Sequence, residues 1–78
     1  MGEIIVMTVE KQLGMRIKYL RGKKKLSQEA LAFISGVNKN YLSNLERGSR
    51  NPTLKVLERI AEGLEINLET LMKGIEKF

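Results

Sequence analysis

A chain of 78 residues can hold one small domain and little more. It contains neither cysteine nor histidine, which excludes a disulfide framework, thiolate metal sites, and the commonest general base and zinc ligand together. Net charge is +5 but unevenly spread: residues 1–50 carry ten Lys/Arg against four Glu, a net +6, while residues 51–78 carry four against five, a net −1. That asymmetry points to a polyanionic partner for the first part of the chain.

The N-terminal run Ile4-Ile5-Val6-Met7 is the one β-like stretch, and it has no partner run. It lacks the basic flank and small-residue cleavage site of a signal peptide. No apolar run approaches the ~20 residues needed to cross a bilayer, so the expected location is the cytoplasm and no membrane partner is expected. The run is also more apolar than a free tail, and is expected to lie near the second helix or in a dimer contact.

From there on, apolar residues recur at helical spacing. The first helix is expected from about Thr8 to Gly22, with Val9, Leu13, Ile17 and Leu20 on one face. Gly14 inside it costs up to ~1 kcal/mol. Lys23-Lys24-Lys25 reads as a polar connector, either solvated or a phosphate patch. The second helix has Ser27 as N-cap, Glu29 at its positive end, and Ala30, Leu31 and Ile34 as its stripe. Gly36 ends it, and Val37 plugs the turn.

The third helix is capped by Asn38 and runs to about Arg47, where Gly48 stops it. Leu42 and Leu45 point inward; Lys39, Asn40, Ser43, Asn44 and Arg47 form its polar side. The fourth follows Pro52 with Thr53 as cap, and Leu54, Leu57, Ile60, Ala61 and Leu64 as its core face. The fifth is capped by Asn67, with Leu68, Leu71, Met72 and Ile75 as its stripe, so that the last two helices occupy about 53–77. The expected fold is all-α, a compact five-helix bundle forming a single domain over residues 1–78.

The middle of the chain carries the functional signal. From about Ser27 to Arg47 two helices, carrying the runs Ser27 to Ala32 and Asn38 to Leu45, are joined by a tight, glycine-containing turn, and Ala32 is small enough to let them approach. The second of the pair has a polar N-terminal end, which is what reaching base edges in a major groove requires. Arg47 and Arg50, at its end and in the following loop, suit phosphate contacts, which position a protein on DNA without reading sequence.

The runs Leu20-Arg21, Leu26-Ser27-Gln28-Glu29-Ala30-Leu31-Ala32, Gly36-Val37, Tyr41-Leu42-Ser43-Asn44-Leu45-Glu46-Arg47-Gly48 and Arg50-Asn51-Pro52-Thr53-Leu54 together resemble the phage-repressor-like (Xre) helix-turn-helix family. The resemblance covers about residues 9 to 74. Within that family the Tyr41-x-Ser43-x-x-Glu46-Arg47-x-x-Arg50-Asn51 run resembles the controller proteins of restriction-modification systems.

The resemblance implies a lambda-repressor-like fold, a double-stranded DNA partner and a homodimer on a pseudo-palindromic operator. It implies base contacts from Lys39, Asn40, Asn44 and Tyr41, although Tyr41 can equally be placed against the body of the domain. Lysine can donate to guanine, and asparagine can pair bidentately with adenine. It implies phosphate contacts from Gln28, with Asn38 and Ser43 as further candidates beside Arg47 and Arg50. Arg21 and Glu46 are implied as a structural ion pair, and Met72, Ile75 and Phe78 are the candidate dimer seam.

No metal, cofactor or small-molecule ligand is expected. With no His, Cys or Asp, no catalytic pair is visible, so an enzyme is not expected. An antitoxin-type or other stand-alone repressor, whose last helices bind a partner protein, is the rival reading. Two departures from the family pattern stand out. Phe33 and Ile34 are both apolar, and Glu65 stands where a glycine is usual, so that connection is expected to be shaped differently.

Overall fold

A computed structural model describes residues 7–75. Five helices follow in order: α1 (Val9–Lys23), α2 (Gln28–Ser35), α3 (Lys39–Glu46), α4 (Leu54–Gly63) and α5 (Leu68–Met72). No strand occurs among the described residues. The N-terminal run expected to pack near the second helix lies outside them, except for Met7.

Each helix begins on a side-chain oxygen that accepts from an otherwise unpaired backbone N–H. Thr8, Ser27, Thr53 and Asn67 each accept from the amide three residues on, at 2.8–3.2 Å. Asn38 accepts from two, Asn40 N at 2.7 Å and Tyr41 N at 3.2 Å. Such caps contribute about 1 kcal/mol each, which matters for helices this short.

The first four helices end alike. A left-handed residue follows each one, Lys25 (φ 57), Gly36 (φ 70), Gly48 (φ 82) and Glu65 (φ 60). The next residue's N–H then reaches back to a carbonyl in the last turn: Leu26 to Arg21, Val37 to Ala32, Ser49 to Asn44 and Ile66 to Ala61, at 2.9–3.1 Å. Glu65 therefore does not reshape its connection. It adopts the conformation glycine would supply more cheaply.

The core is built from Leu13 and Ile17 of α1, Leu31 and Ala32 of α2, Leu42 and Leu45 of α3, Ile60 and Ala61 of α4, Leu64 just beyond it, and Leu71 of α5. Two glycines set how tightly it closes. A Cβ on Gly14 would run into the backbone carbonyls of Leu45 and Glu46, so the helix-weakening residue in α1 is what admits α3. A Cβ on Gly63 would strike the Ser35 hydroxyl and crowd Leu31, so α4 lies on α2 at its C-terminal end.

That docking explains two differences from the sequence expectation. Leu54 opens α4 far from the contact and is 71% exposed. Ile34 is 54% exposed, because the face of α2 turned to α4 is the Leu31–Ser35 side, and Ser35 is the buried residue. Val9, in the first turn of α1, is also exposed. A fourth difference is the length of α5, which stops at Met72 and does not continue toward residue 77. Gly74 turns left-handed (φ 83), and Ile75 lies beyond the helix, its N–H donating to Met72 O at 3.1 Å.

Candidate DNA interface

The candidate interface is the outer side of α3, and its geometry starts from the inner side. Leu42 and Leu45 are fully buried. Between them and solvent lies Glu46, whose carboxylate is only 3% exposed. A buried carboxylate needs partners, and Glu46 has three hydrogen bonds. Arg21 Nε donates to Oε2 at 2.7 Å and Nη2 to Oε1 at 3.0 Å, a bidentate fork, and Gln28 Nε2 donates to Oε1 at 2.9 Å. Arg21 Nη1 also donates to Leu26 O at 2.9 Å. One carboxylate thus ties α3 to α1, α2 and the turn between them.

The hydrogen bonds to Glu46 are the main reason that the Arg21 guanidinium is held above its ordinary pKa; burial opposes them and the attraction of the carboxylate adds to them. A raised folded-state value stabilises the fold at every pH below the ordinary arginine range and is lost only on rising past the still higher folded value. At neutral pH the cation is fully in place.

The outer side presents side chains in two groups. Lys39 and Asn40, in the first turn, are exposed, with no hydrogen bond or ion pair from either side chain among the described residues. Asn38 spends its carbonyl oxygen on capping, which leaves its amide N–H pair to donate outward. The second group is engaged. Arg47 folds back along α3, Nη1 donating to Asn44 Oδ1 at 3.1 Å and Nη2 to Ser43 Oγ at 3.2 Å. Asn44 therefore enters a bidentate pair with adenine only if Arg47 yields its oxygen. Tyr41 is half-buried against the core, and the Arg50 guanidinium lies 5.3 Å from its ring centroid, within cation–π range.

The remaining candidates fall elsewhere. Gln28 sits on Glu46, as above. Lys23 and Lys24 turn to the α4–α5 side, Lys23 lying 5.5 Å from the Tyr19 ring centroid and Lys24 3.4 Å from Glu65. Met72 and Ile75 are half-buried, packed against the core, and Phe78 lies outside the described residues. Sequence reasoning missed Gly63 and Ser35, and two residues that fix the end of α3. Lys11 Nζ donates to Arg47 O at 3.4 Å, and Ser49 Oγ to Asn44 O at 3.0 Å.

Two capped helices, a left-handed glycine between them and a polar helix edge locked from behind define a helix-turn-helix module. Comparison with known proteins gives the same assignment: the model of the helix-turn-helix family matches residues 17–71, and the chain belongs to that family. It is 42% identical over 67 residues to the control protein C.MunI of a Mycoplasma species, covering 85% of this chain and 90% of that one. Its fold is similar to the restriction-modification controller protein C.AhdI from Aeromonas hydrophila (TM-score 0.76, 41% identity, 81% of this chain and 94% of that one). It is also similar to the controller protein C.Esp1396I, solved as a tetramer in complex with its natural 35 base-pair operator (TM-score 0.78, 38% identity, 88% and 96%).

Proposed function

We infer that the protein is a DNA-binding transcriptional regulator of the controller type, acting as a homodimer on a pseudo-palindromic operator and performing no catalytic step. The observation that carries this reading is the outer edge of α3. The Lys39 and Asn40 side chains have no partner among the described residues and stand at its N-terminal end, on a helix fixed from behind by the Arg21–Glu46–Gln28 network. A reading helix must hold its side chains steady without spending them on its own fold, and this edge does so. Likeness to controller proteins along nearly the full length of each, one of them solved on its operator, supports the same reading.

In this mechanism α3 enters the major groove by its first turn. Lys39 and Asn40 read bases. Tyr41 contacts the sugar edge while carrying Arg50 toward a phosphate, and Asn44 reads only after Arg47 swings from it to the backbone. Asn38, Ser43 and the second amide hydrogen of Gln28 complete the phosphate contacts. The half-buried Met72 and Ile75, with Phe78, form the seam between copies. The whole chain acts as one domain. No helix among the described residues is long and apolar enough to cross a membrane, consistent with a cytoplasmic regulator.

Selection of bound duplexes from a random library is the test. Two inverted half-sites, with centres about one helical turn of DNA apart, are expected. Enrichment of nothing beyond random duplex would refute sequence-specific reading.

A further inference from the structure

The cations of this chain do not all serve α3. Arg16, Lys23, Lys24 and Lys73 line a cavity of about 780 Å³ between α1, the α4–α5 turn and the end of α5. Leu20, Leu64 and Ile66 give it an apolar lining. Tyr19 stands in its wall, with Arg16 at 5.8 Å and Lys23 at 5.5 Å from the ring centroid. Arg16 is pinned there: Nη2 donates to Thr70 O at 2.8 Å, and its buried Nε has no hydrogen-bond partner among the described residues. Among the described residues no carboxylate lines the cavity; the exposed Glu65 lies beside it, 3.4 Å from Lys24. A second cavity of about 280 Å³ continues from it, sharing Arg16, Tyr19 and Lys73 and walled by Met7, Met15 and Ile75, so that its far end borders the proposed seam between copies. None of Lys39, Asn40, Arg47 or Arg50 reaches either cavity.

We propose that this α1–α5 groove docks an acidic segment of a partner protein, an extended stretch in which carboxylates alternate with apolar side chains. Arg16, Lys23 and Lys73 have no carboxylate partner among the described residues, and an anionic, partly apolar occupant relieves both their mutual repulsion and the exposure of Tyr19 and Met15. In an extended segment alternate side chains point to opposite sides: one set reaches Arg16, Lys23 and Lys73 at the rim, the other lies on the lining. The two cavities follow α1 from Gln12 to Lys23, about 16 Å of helix, or about five extended residues. That length favours a slender chain over a compact small molecule.

The test uses the full chain and a fluorescein-labelled peptide of about eight residues, alternating glutamate and leucine, followed by anisotropy. A glutamine-for-glutamate peptide serves as its uncharged counterpart. The variant Lys23→Glu/Lys73→Glu is compared with Lys55→Glu/Arg59→Glu, an equal charge change on exposed positions of α4. The groove variant is expected to weaken peptide binding about tenfold or more, the α4 variant to leave most of it, and Tyr19→Ala to weaken it with net charge unchanged. The glutamine peptide is expected not to bind.

Equal losses in the two double variants would reduce the effect to net charge and overturn the proposal. Displacement of the peptide by duplex DNA, with an operator affinity that falls in step in the groove variant, would assign these cations to DNA and overturn it as well. Peptide binding seen only after removal of residues 1–6 would give the groove to the chain's own N-terminus, which also ends the partner reading.

Discussion

The two sides of α3 are made of similar residue types and do opposite things. On the inner side a glutamate, an arginine and a glutamine are consumed by one another, the carboxylate 3% exposed and every bond internal. On the outer side a lysine and an asparagine, about two turns back along the same helix, make no side-chain hydrogen bond or ion pair among the described residues. On the proposed reading, stability rests on the first set and specificity on the second: α3 can read DNA because the polar residues that hold it are not the ones that face outward.

The largest effects are therefore expected on the inner side. Arg21→Ala leaves a buried carboxylate with Gln28 as its one remaining side-chain partner, and is expected to cost about 3 kcal/mol in urea unfolding, a large share of a small domain's stability. Gly14→Ala follows, at about 1–3 kcal/mol: the added methyl has only the α3 backbone to push, despite the better helix propensity of alanine. Both variants lose operator binding in proportion to folding. An Arg21→Ala protein as stable as the parent would break the division between the two sides.

Outer-side substitutions are expected to leave unfolding unchanged and alter binding alone. Lys39→Ala should lose about 1–3 kcal/mol of discrimination at one base pair of each half-site, with little change on random duplex. Arg50→Ala should weaken every duplex alike and lower the salt slope by about 1. Equal losses from Lys39→Ala on operator and random DNA would move Lys39 from the reading set to the phosphate set.

Much of this was legible in the sequence because it is local. Caps, glycine stops and the 3.6-residue stripe depend on neighbours in the chain, and Thr8, Ser27, Asn38, Thr53 and Asn67 all cap where the residue types say. What composition and spacing could not give was which side of an ambiguous stripe faces inward. Ile34 and Leu54 satisfy the helical pattern but stand exposed, while Ser35 is buried, because Gly63 of α4 lands on Ser35. A glycine in a helix reads as a local cost; that Gly14 and Gly63 are the contact points of two helix pairs is a long-range fact. The site divides in the same way. Family resemblance implied the Arg21–Glu46 contact that the structure shows, whereas the fold of Arg47 onto Ser43 and Asn44, an i+3 and i+4 contact, was open to reading from spacing and was passed over.

The smallest predicted effect supplies a control that touches neither side of α3. Glu65 holds φ 60, where an L-residue pays about 1 kcal/mol that glycine does not. Its compensation is a contact with Lys24 at 3.4 Å, between exposed groups, worth about 0–1 kcal/mol. Glycine also loses more freedom on folding than glutamate, by roughly 0.5–1 kcal/mol when placed in a regular element, but a left-handed turn is where that penalty is repaid. Glu65→Gly is thus expected to shift stability in urea unfolding by no more than about 1 kcal/mol in either direction, with operator affinity and base preference both unchanged. If it alters binding while leaving stability alone, the α4–α5 turn communicates with α3 through the core. The separation of a holding face from a reading face would then have to be drawn around the whole domain instead of one helix.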